Sequence, residues 1–404
     1  MASAARVDAQ ETRSPGDEAR LHLGPLALTP SITVTSVGID DNVFNDFENP
    51  KRDTTAAVGP AMNFWLRAGR SRLSGKASSQ YLYFKDFENQ RGWNSSNEGK
   101  WEVPFARITP FATGSYTNTR ERPGFEIDAR VRQLARSAGI GIGLRLSGKT
   151  EVVVDAKRTQ LKFDERATFL GESLAHALNR KSDSAGVEWR YALTPLTTFV
   201  LRTEGRKDRF TFDPLRNADS VSVMPGFELK PVALISGTVA VGYKRFTTLD
   251  ASVPDYQGLV ASVAAKYVLS ATKFELRVAR DLAYSFEPSE PYYALTDTGL
   301  TVTQRVTRRW DGVGRIGWQL LGYRAVAPGS QGSTGSTGSN GSTTLLSERA
   351  DHGRLYGAGI GYRIAPLLRV GFDANYTRRE SGALIFRDYS GLRLGASMSY
   401  GLPQ

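Results

Sequence analysis

Along most of the chain, hydrophobic and polar residues alternate one by one, which is the pattern of β-strands with two different faces. In one run, Phe199, Leu201 and Thr203 alternate with charged residues between them. Many runs extend over about 12–16 residues, well beyond the ~5–6 residues of a typical soluble strand. A tilted strand needs ~9–11 residues to cross a bilayer. The runs are therefore long enough to predict membrane-spanning strands.

Two kinds of connector separate these runs. Tight turns are predicted at about 68–71, 106–110, 147–149, 193–196, 230–232, 269–272, 308–311 and 364–367. Longer polar connectors are predicted at about 45–53, 87–94, 121–132, 165–181, 213–218, 249–255, 287–292, 327–350 and 380–387. Short turns on one rim and long loops on the other are typical of outer-membrane barrels. The expected fold class is all-β, a transmembrane antiparallel up-and-down β-barrel of about 18 strands, with 16–18 compatible.

The charged face of each strand should point into the barrel, because a charge at mid-bilayer on the lipid face costs ~2–4 kcal/mol. A barrel of eighteen strands is too wide for side chains to fill, so a water-filled charged lumen is the consistent solution. A β-sandwich and a propeller are the soluble alternatives. The predicted lumen-lining residues are Glu151, Asp155, Lys157, Arg202, Glu204, Arg206, Asp208, Lys244, Lys273, Glu275, Arg277, Asp281, Arg315, Arg369, Asp373 and Arg393.

The amino-acid composition argues against several kinds of functional site. The chain has no cysteine and no long uncharged apolar run, which argues against disulfides and membrane-spanning helices. Its net charge is +11, but bases and acids share the same strands, so nucleic-acid binding is not expected. Three scattered histidines (His22, His176 and His352) predict no metal site, and no cofactor is expected. Asp351 and His352 beside Ser347 resemble a hydrolase pair, but a solvated loop explains them better, so no enzyme is predicted.

The remaining expectations concern the ends and the loops. Residues 1–29 are expected to be disordered, and Val7-Asp8-Ala9 is compatible either with the stump of an export signal or with a plain tail. The barrel is expected to span 30–404, with a flexible Gly/Ser/Thr loop at 327–350. Loop 165–181 either gates the lumen or packs on its neighbours. Its candidate gating residues are Phe169, Leu170, Leu174 and Leu178.

Several motifs carry a family resemblance. They are Ile39 to Phe44, the turn Tyr191 to Thr197, and the block from Asp208 to Pro231. With these, residues 30–404 resemble a family of outer-membrane β-barrel porins whose members often belong to exopolysaccharide or capsule export systems. The resemblance implies a bacterial outer-membrane location. The C-terminus departs from the usual terminal aromatic residue, because four residues follow Tyr400.

The resulting main hypothesis is a channel that exports an anionic exopolysaccharide through the charged lumen. The alternative is a general or small-solute diffusion porin, and a barrel enzyme that hydrolyses lipid or peptide is a third hypothesis. The expected partners are outer-membrane lipid or lipopolysaccharide and the barrel-assembly machinery. A polysaccharide and periplasmic export components are further expected partners.

Overall fold

The computed structural model describes residues 16, 19–231, 233–326, 349–382 and 387–401. Eighteen long strands dominate it. They are β1 (Leu26–Asp40), β2 (Asp53–Ala68), β3 (Ser71–Phe84), β4 (Gly92–Glu102), β5 (Ile108–Glu121), β6 (Val131–Arg145), β7 (Thr150–Phe163), β8 (Arg180–Ala192), β9 (Thr197–Phe210), β10 (Ala218–Leu229), β11 (Ile235–Thr248), β12 (Tyr256–Leu269), β13 (Thr272–Tyr284), β14 (Tyr292–Arg305), β15 (Trp310–Arg324), β16 (Ala350–Ala365), β17 (Leu368–Ser381) and β18 (Tyr389–Tyr400).

Each strand pairs antiparallel with its neighbours in sequence, and the first strand pairs with the last. In that closing pair Ile32 lies opposite Tyr400 and Asp40 opposite Arg393, with a bulge between Val34 and Val37. Closure leaves no unpaired edge. The expected eighteen-stranded barrel is confirmed.

The connectors also follow the predicted plan, with eight short turns at one rim and nine longer loops at the other. At the turn between β2 and β3, Gly69 has a φ of +59°, a left-handed conformation that glycine adopts without steric cost. Most of the expected Gly/Ser/Thr loop at 327–350 lies outside the described residues.

At the N-terminal end, the short strand Leu21–Leu23 pairs with residues 26–28. The barrel begins at Leu26, four residues before the expected boundary. Val7 to Ala9 lie outside the described residues. None of the helices in the described part of the chain is long and apolar enough to cross a membrane.

The cross-strand register defines two faces of the wall. Exposed apolar side chains such as Ile140, Val187 and Phe372 share one face. All sixteen residues predicted to line the lumen fall on the opposite face of their strands. Buried apolar clusters occur where the long loops meet the ends of the strands. The wall thus presents an apolar surface to lipid and a charged surface to the interior.

Candidate functional site

One long loop crosses the interior of the barrel. Residues 122–130, called here the crossing loop, connect β5 to β6. Phe125 packs against Tyr293, Leu321 and Tyr323, which belong to β14 and β15. Because β14 is half-way round the barrel from β5, this contact requires the loop to span the lumen. The charged face of β14 and β15 is therefore the inner face.

Two arginines bind the backbone of the crossing loop, one in β17 and one in the loop between β17 and β18. Arg379 in β17 donates hydrogen bonds to the carbonyl oxygens of Phe125 and Glu126, both at 3.0 Å, and to Asp128 Oδ2 at 2.8 Å. Arg387 donates to the Glu126 carbonyl at 2.5 Å. A buried backbone carbonyl without a partner is costly, so these guanidinium groups stabilise a segment that has no strand beside it.

The carboxylate of Glu126 is buried under a second loop. It accepts hydrogen bonds from Ser285 Oγ at 2.6 Å and from the Phe286 amide at 3.3 Å. Both donors lie in the loop between β13 and β14. Burial raises the pKa of Glu126 to about 7, against the stabilising influence of the Ser285 hydroxyl and nearby Arg387. This group titrates near neutral pH.

Asp351 forms ion pairs with the arginines that lie on the far side of the crossing loop. Its side chain is fully buried, and it pairs with Arg379 at 2.6 Å and with Arg349 at 2.9 Å. His352 follows it in β16 and therefore faces the other side of the wall, where its ring stacks on Trp318. Asp351 and His352 do not form a hydrolase pair, and Ser347 lies outside the described residues.

The predicted gating loop contributes to the same assembly. It contains helix α1 (Leu174–Leu178), whose N-terminal cap is Ser173. Leu174 and Leu178 are buried against Ile127 of the crossing loop, and Phe169 packs at the edge of this cluster. Leu170 is 55% exposed and takes no part. Three of the four candidate residues thus come together, but the segment that spans the lumen is 122–130.

The sequence prediction treated 122–130 as an ordinary connector. A signal was present in the motif Pro123 to Ile127, because an outer loop that places Phe125 and Ile127 around a single acid needs apolar partners. The arginines that hold it, Arg379 and Arg387, carry no distinguishing pattern. They are recognised only once the barrel brings them opposite the loop.

The crossing loop leaves a cavity on each of its sides. One is lined by Arg180, Arg206 and Lys244 together with Asp208 and Tyr284. The other is lined by the basic residues Arg122, Arg130 and Arg393, with acids that include Asp40 and Glu121. Both cavities are therefore rich in basic side chains.

Three of these arginines bind carbonyl groups instead of carboxylates. Arg122 donates to Asp128 O at 2.7 Å and Val43 O at 3.0 Å, and Arg130 donates to Val43 O at 3.1 Å. Arg180 reaches the Leu178 carbonyl at 3.4 Å. Burial lowers the pKa of Arg130 to about 10, which leaves it charged at neutral pH. A carbonyl carries no net charge, so the positive charge of these groups is not cancelled by their nearest partners.

Most of the predicted lumen-lining residues form ion pairs, including Arg206, Lys244 and Arg393 at the mouth. Four of the pairs bridge strands that are not neighbours. The pairs are Arg202–Asp155 (3.0 Å), Arg202–Glu204 (2.8 Å), Arg206–Asp208 (3.0 Å), Lys244–Asp281 (2.6 Å), Lys273–Glu275 (3.1 Å), Arg277–Asp297 (3.9 Å), Arg190–Glu151 (3.9 Å), Arg315–Asp373 (2.8 Å), Arg369–Asp311 (2.5 Å) and Arg393–Asp40 (2.7 Å). Lys157 has no ion pair within 4.0 Å among the described residues.

Glycines make the longer bridges possible. Arg369 reaches Asp311 across β16 at Gly361, where an added Cβ would lie 2.0 Å from the guanidinium. Gly186 occupies the same place between Arg202 and Asp155. The middle strand must lack a side chain there for the ions to meet. These bridges brace the wall and neutralise much of its charge, whereas Arg122, Arg130 and Arg180 at the mouth donate hydrogen bonds to carbonyl groups.

The sequence as a whole identifies the family. Residues 14–400 match the protein family described as "Putative beta-barrel porin 2". The chain belongs to this family. Together with the closed barrel, membership in the porin family indicates a location in the bacterial outer membrane. The chain is an outer-membrane barrel of the porin type.

Solved structures show a general likeness of fold to this porin. OpdO of Pseudomonas aeruginosa is 11% identical, with 93% of this chain and 97% of that chain covered and a TM-score of 0.48. OpdK of the same organism, solved with vanillate, is 10% identical over 92% and 98%, with a TM-score of 0.47. OccK5 (OpdH), also of P. aeruginosa, is 13% identical over 93% and 98%, with a TM-score of 0.46. No curated protein matches the chain.

None of the groups of His, Asp and Glu in the described part of the porin has an arrangement that could hold a metal ion. The candidate functional site is the mouth of the barrel, where the crossing loop is bonded to Arg379 and Arg387.

Proposed function

We propose that this porin is a diffusion channel for small solutes and that it favours anions. The observation that carries the proposal is the crossing loop, which is bonded to β17 and has a cavity lined by basic side chains on each of its sides. No step of catalysis is part of the proposal.

The size preference follows from the way the loop is held. Both its backbone and its side chains are bonded to the opposite wall and to loop 285–291, so a passing solute meets a fixed obstacle. Small molecules pass beside such an obstacle more readily than a polymer does. Polysaccharide export, the main hypothesis from the sequence, has no support from the family description or from the similar structures.

The charge preference follows from Arg122, Arg130 and Arg180. A unit charge about 4 Å from another contributes about 1 kcal/mol in a water-like medium, and more where the dielectric constant is lower. One such interaction changes the local concentration of an anion about fivefold relative to a neutral solute. Salt screens this effect over a Debye length of about 8 Å at physiological ionic strength.

The partners remain predictions. Contact with outer-membrane lipid and with the barrel-assembly machinery follows from the location of the porin. Periplasmic export components were expected only with polysaccharide export and are not part of this proposal.

Reversal potentials in planar bilayers test the proposal. With a KCl gradient, we expect the native porin to pass chloride in preference to potassium. The double variant Arg122→Gln/Arg130→Gln keeps side chains that can donate hydrogen bonds but removes both charges, and its reversal potential should move towards zero. Arg354→Gln, on the lipid-facing surface, is the matched control and should leave the potential unchanged. A cation-selective native channel would contradict the proposal.

A further inference from the structure

The lipid-facing surface carries an uneven distribution of charge. On β6 to β11, near the loop-bearing rim, eight basic residues share the outer face with only two acids. We call these eight residues the outer basic patch: Arg132, Arg136, Arg158, Lys162, Lys181, Lys207, Arg209 and Arg245. The two acids are Asp183 and Asp219, so the zone has a net charge of +6.

The register shows that these residues are contiguous. Arg158 lies opposite Asp183, Asp183 opposite Lys207, and Lys207 opposite Asp219, in one row across four strands. One step nearer the rim, Lys181 lies opposite Arg209. Residues directly opposite each other have Cβ atoms about 4.5–5.5 Å apart. The outer basic patch is therefore one surface.

Ion pairs within the outer basic patch neutralise only part of its positive charge. Arg158 and Asp183 form a bidentate pair at 2.6 and 2.9 Å, and Arg209 pairs with Asp219 at 2.6 Å. Arg132 and Arg136 contact Asn118 and the ring of Tyr116. The other four, Lys162, Lys181, Lys207 and Arg245, are exposed and have no ion pair within 4.0 Å among the described residues.

The arrangement contains an unfavourable contact. Like charges directly opposite each other destabilise a sheet, and Lys181 faces Arg209 in this way. Asp219 pairs with Arg209, and Asp183, two residues along the same face from Lys181, pairs with Arg158, so no acid forms an ion pair with Lys181 within 4.0 Å among the described residues. An anion bound between the two side chains would remove the repulsion.

The position of the patch indicates what kind of anion. Immediately on its periplasmic side lies the apolar belt, with Ile140, Val154, Val187 and Tyr243 exposed. Lysine and arginine tolerate this boundary because their long side chains reach the polar layer of the membrane. Basic clusters at that depth attract anionic lipid head groups, and guanidinium groups suit phosphate in particular.

The other side of the barrel differs. At the same level, β15 to β17 expose Trp318, Tyr356 and Tyr376. Their arginines Arg354 and Arg378 both pair with Glu380, at 3.3 and 2.8 Å. The excess positive charge is therefore a local feature of β6 to β11 and does not form a ring around the barrel.

From these observations we propose that the outer basic patch is a binding site for the phosphate groups of a phosphorylated glycolipid in the outer leaflet of the membrane. Lys181, Lys207 and Arg245 hold the head group, and the apolar belt below them receives its acyl chains. The proposal depends on the outer-membrane location and not on what the channel transports.

The test measures binding of bisphosphorylated lipid A to the purified barrel by native mass spectrometry and by the midpoint of thermal unfolding. We expect the triple variant Lys181→Gln/Lys207→Gln/Arg245→Gln to bind at least tenfold more weakly than the native barrel. The matched control Arg354→Gln/Arg378→Gln, on the opposite side, should bind as the native barrel does. Dephosphorylated lipid A and phosphatidylglycerol are the comparison ligands, and both should bind at least tenfold more weakly than bisphosphorylated lipid A.

A second readout separates loss of the site from loss of fold. Without lipid, the single variant Lys181→Gln should unfold at the same temperature as the native barrel or higher, because the repulsion with Arg209 is gone. With lipid A it should gain less stability than the native barrel. Equal binding by native and triple-variant barrels, or equal binding of phosphorylated and dephosphorylated lipid, would overturn the proposal. A Lys181→Gln barrel that unfolds earlier without lipid would also count against it.

Discussion

Arg379 is the residue on which the position of the crossing loop depends most. Its guanidinium makes hydrogen bonds to Phe125 O, Glu126 O and Asp128, and it also pairs with the fully buried Asp351. Replacing it by methionine keeps much of the side-chain volume but leaves two carbonyls and two carboxylates short of a partner. We therefore expect Arg379→Met to weaken docking of the crossing loop.

The free-energy cost of Arg379→Met for docking of the crossing loop follows from those contacts. Removing one partner of a buried ion pair costs about 3–5 kcal/mol. Because 1.4 kcal/mol is a factor of ten, the ratio of undocked to docked loop should rise roughly 100- to 4000-fold. In the Arg379→Met porin, Asp351 still accepts hydrogen bonds from Arg349 and from the Ser381 hydroxyl. We therefore expect a rise in this ratio near the lower end of the range.

Single-channel recording measures the consequence. A loop that leaves its docked position widens the mouth, so Arg379→Met should show a larger conductance or frequent transitions to a larger level. Arg378→Met is the matched control, because Arg378 is adjacent in β17 but faces lipid. If the folded Arg379→Met barrel has the conductance and noise of the native porin, the reasoning is refuted.

Two further predictions concern the crossing loop and one of the bridges in the wall. Glu126 has a pKa of about 7 in the docked loop against an ordinary value near 4.3, so docking is strongest at low pH and weakens as pH rises through 7. The conductance should therefore fall when the pH is lowered from 8 to 5, whereas the Glu126→Gln porin should show the low conductance at both pH values. A conductance that rises on acidification would speak against this prediction. Gly361→Val should displace Arg369 from Asp311 and lower the midpoint of thermal unfolding, measured by heat-dependent gel migration. Gly314→Val is the control, because open space surrounds this glycine. Equal midpoints for the two variants would show that the bridge contributes nothing to stability.

Much of the fold follows from local pattern. The strands of a barrel repeat the same alternation, and the turn residues mark where each one reverses, so strand number could be read without knowing any long-range contact. The face assigned to residues such as Arg202 and Asp373 follows from the same alternation. The start of β1 was placed four residues late, because residues 26–29 are less clearly alternating than the run that follows.

The position of the crossing loop could not be predicted in the same way. It depends on contacts such as Arg379 to Phe125, between residues more than 250 positions apart, and no periodicity encodes them. The sequence did draw attention to Leu174 and Leu178, which are apolar residues in a polar loop. The same reasoning applied to Phe125 and Ile127 would have indicated a second loop that folds inward, but not the wall it reaches.

Cross-linking gives the most direct test of the central claim, that residues 122–130 cross the lumen and set the width of the passage. The chain has no cysteine, so Phe125→Cys/Leu321→Cys introduces the only thiols. We expect a short thiol cross-linker to join them efficiently in intact outer membranes, and a control pair with Val221→Cys, on the lipid-facing surface, to stay unlinked. The cross-linked channel should keep the native conductance even when Arg379→Met is added. Failure of the pair to cross-link, or a wide conductance in the cross-linked porin, would contradict the account.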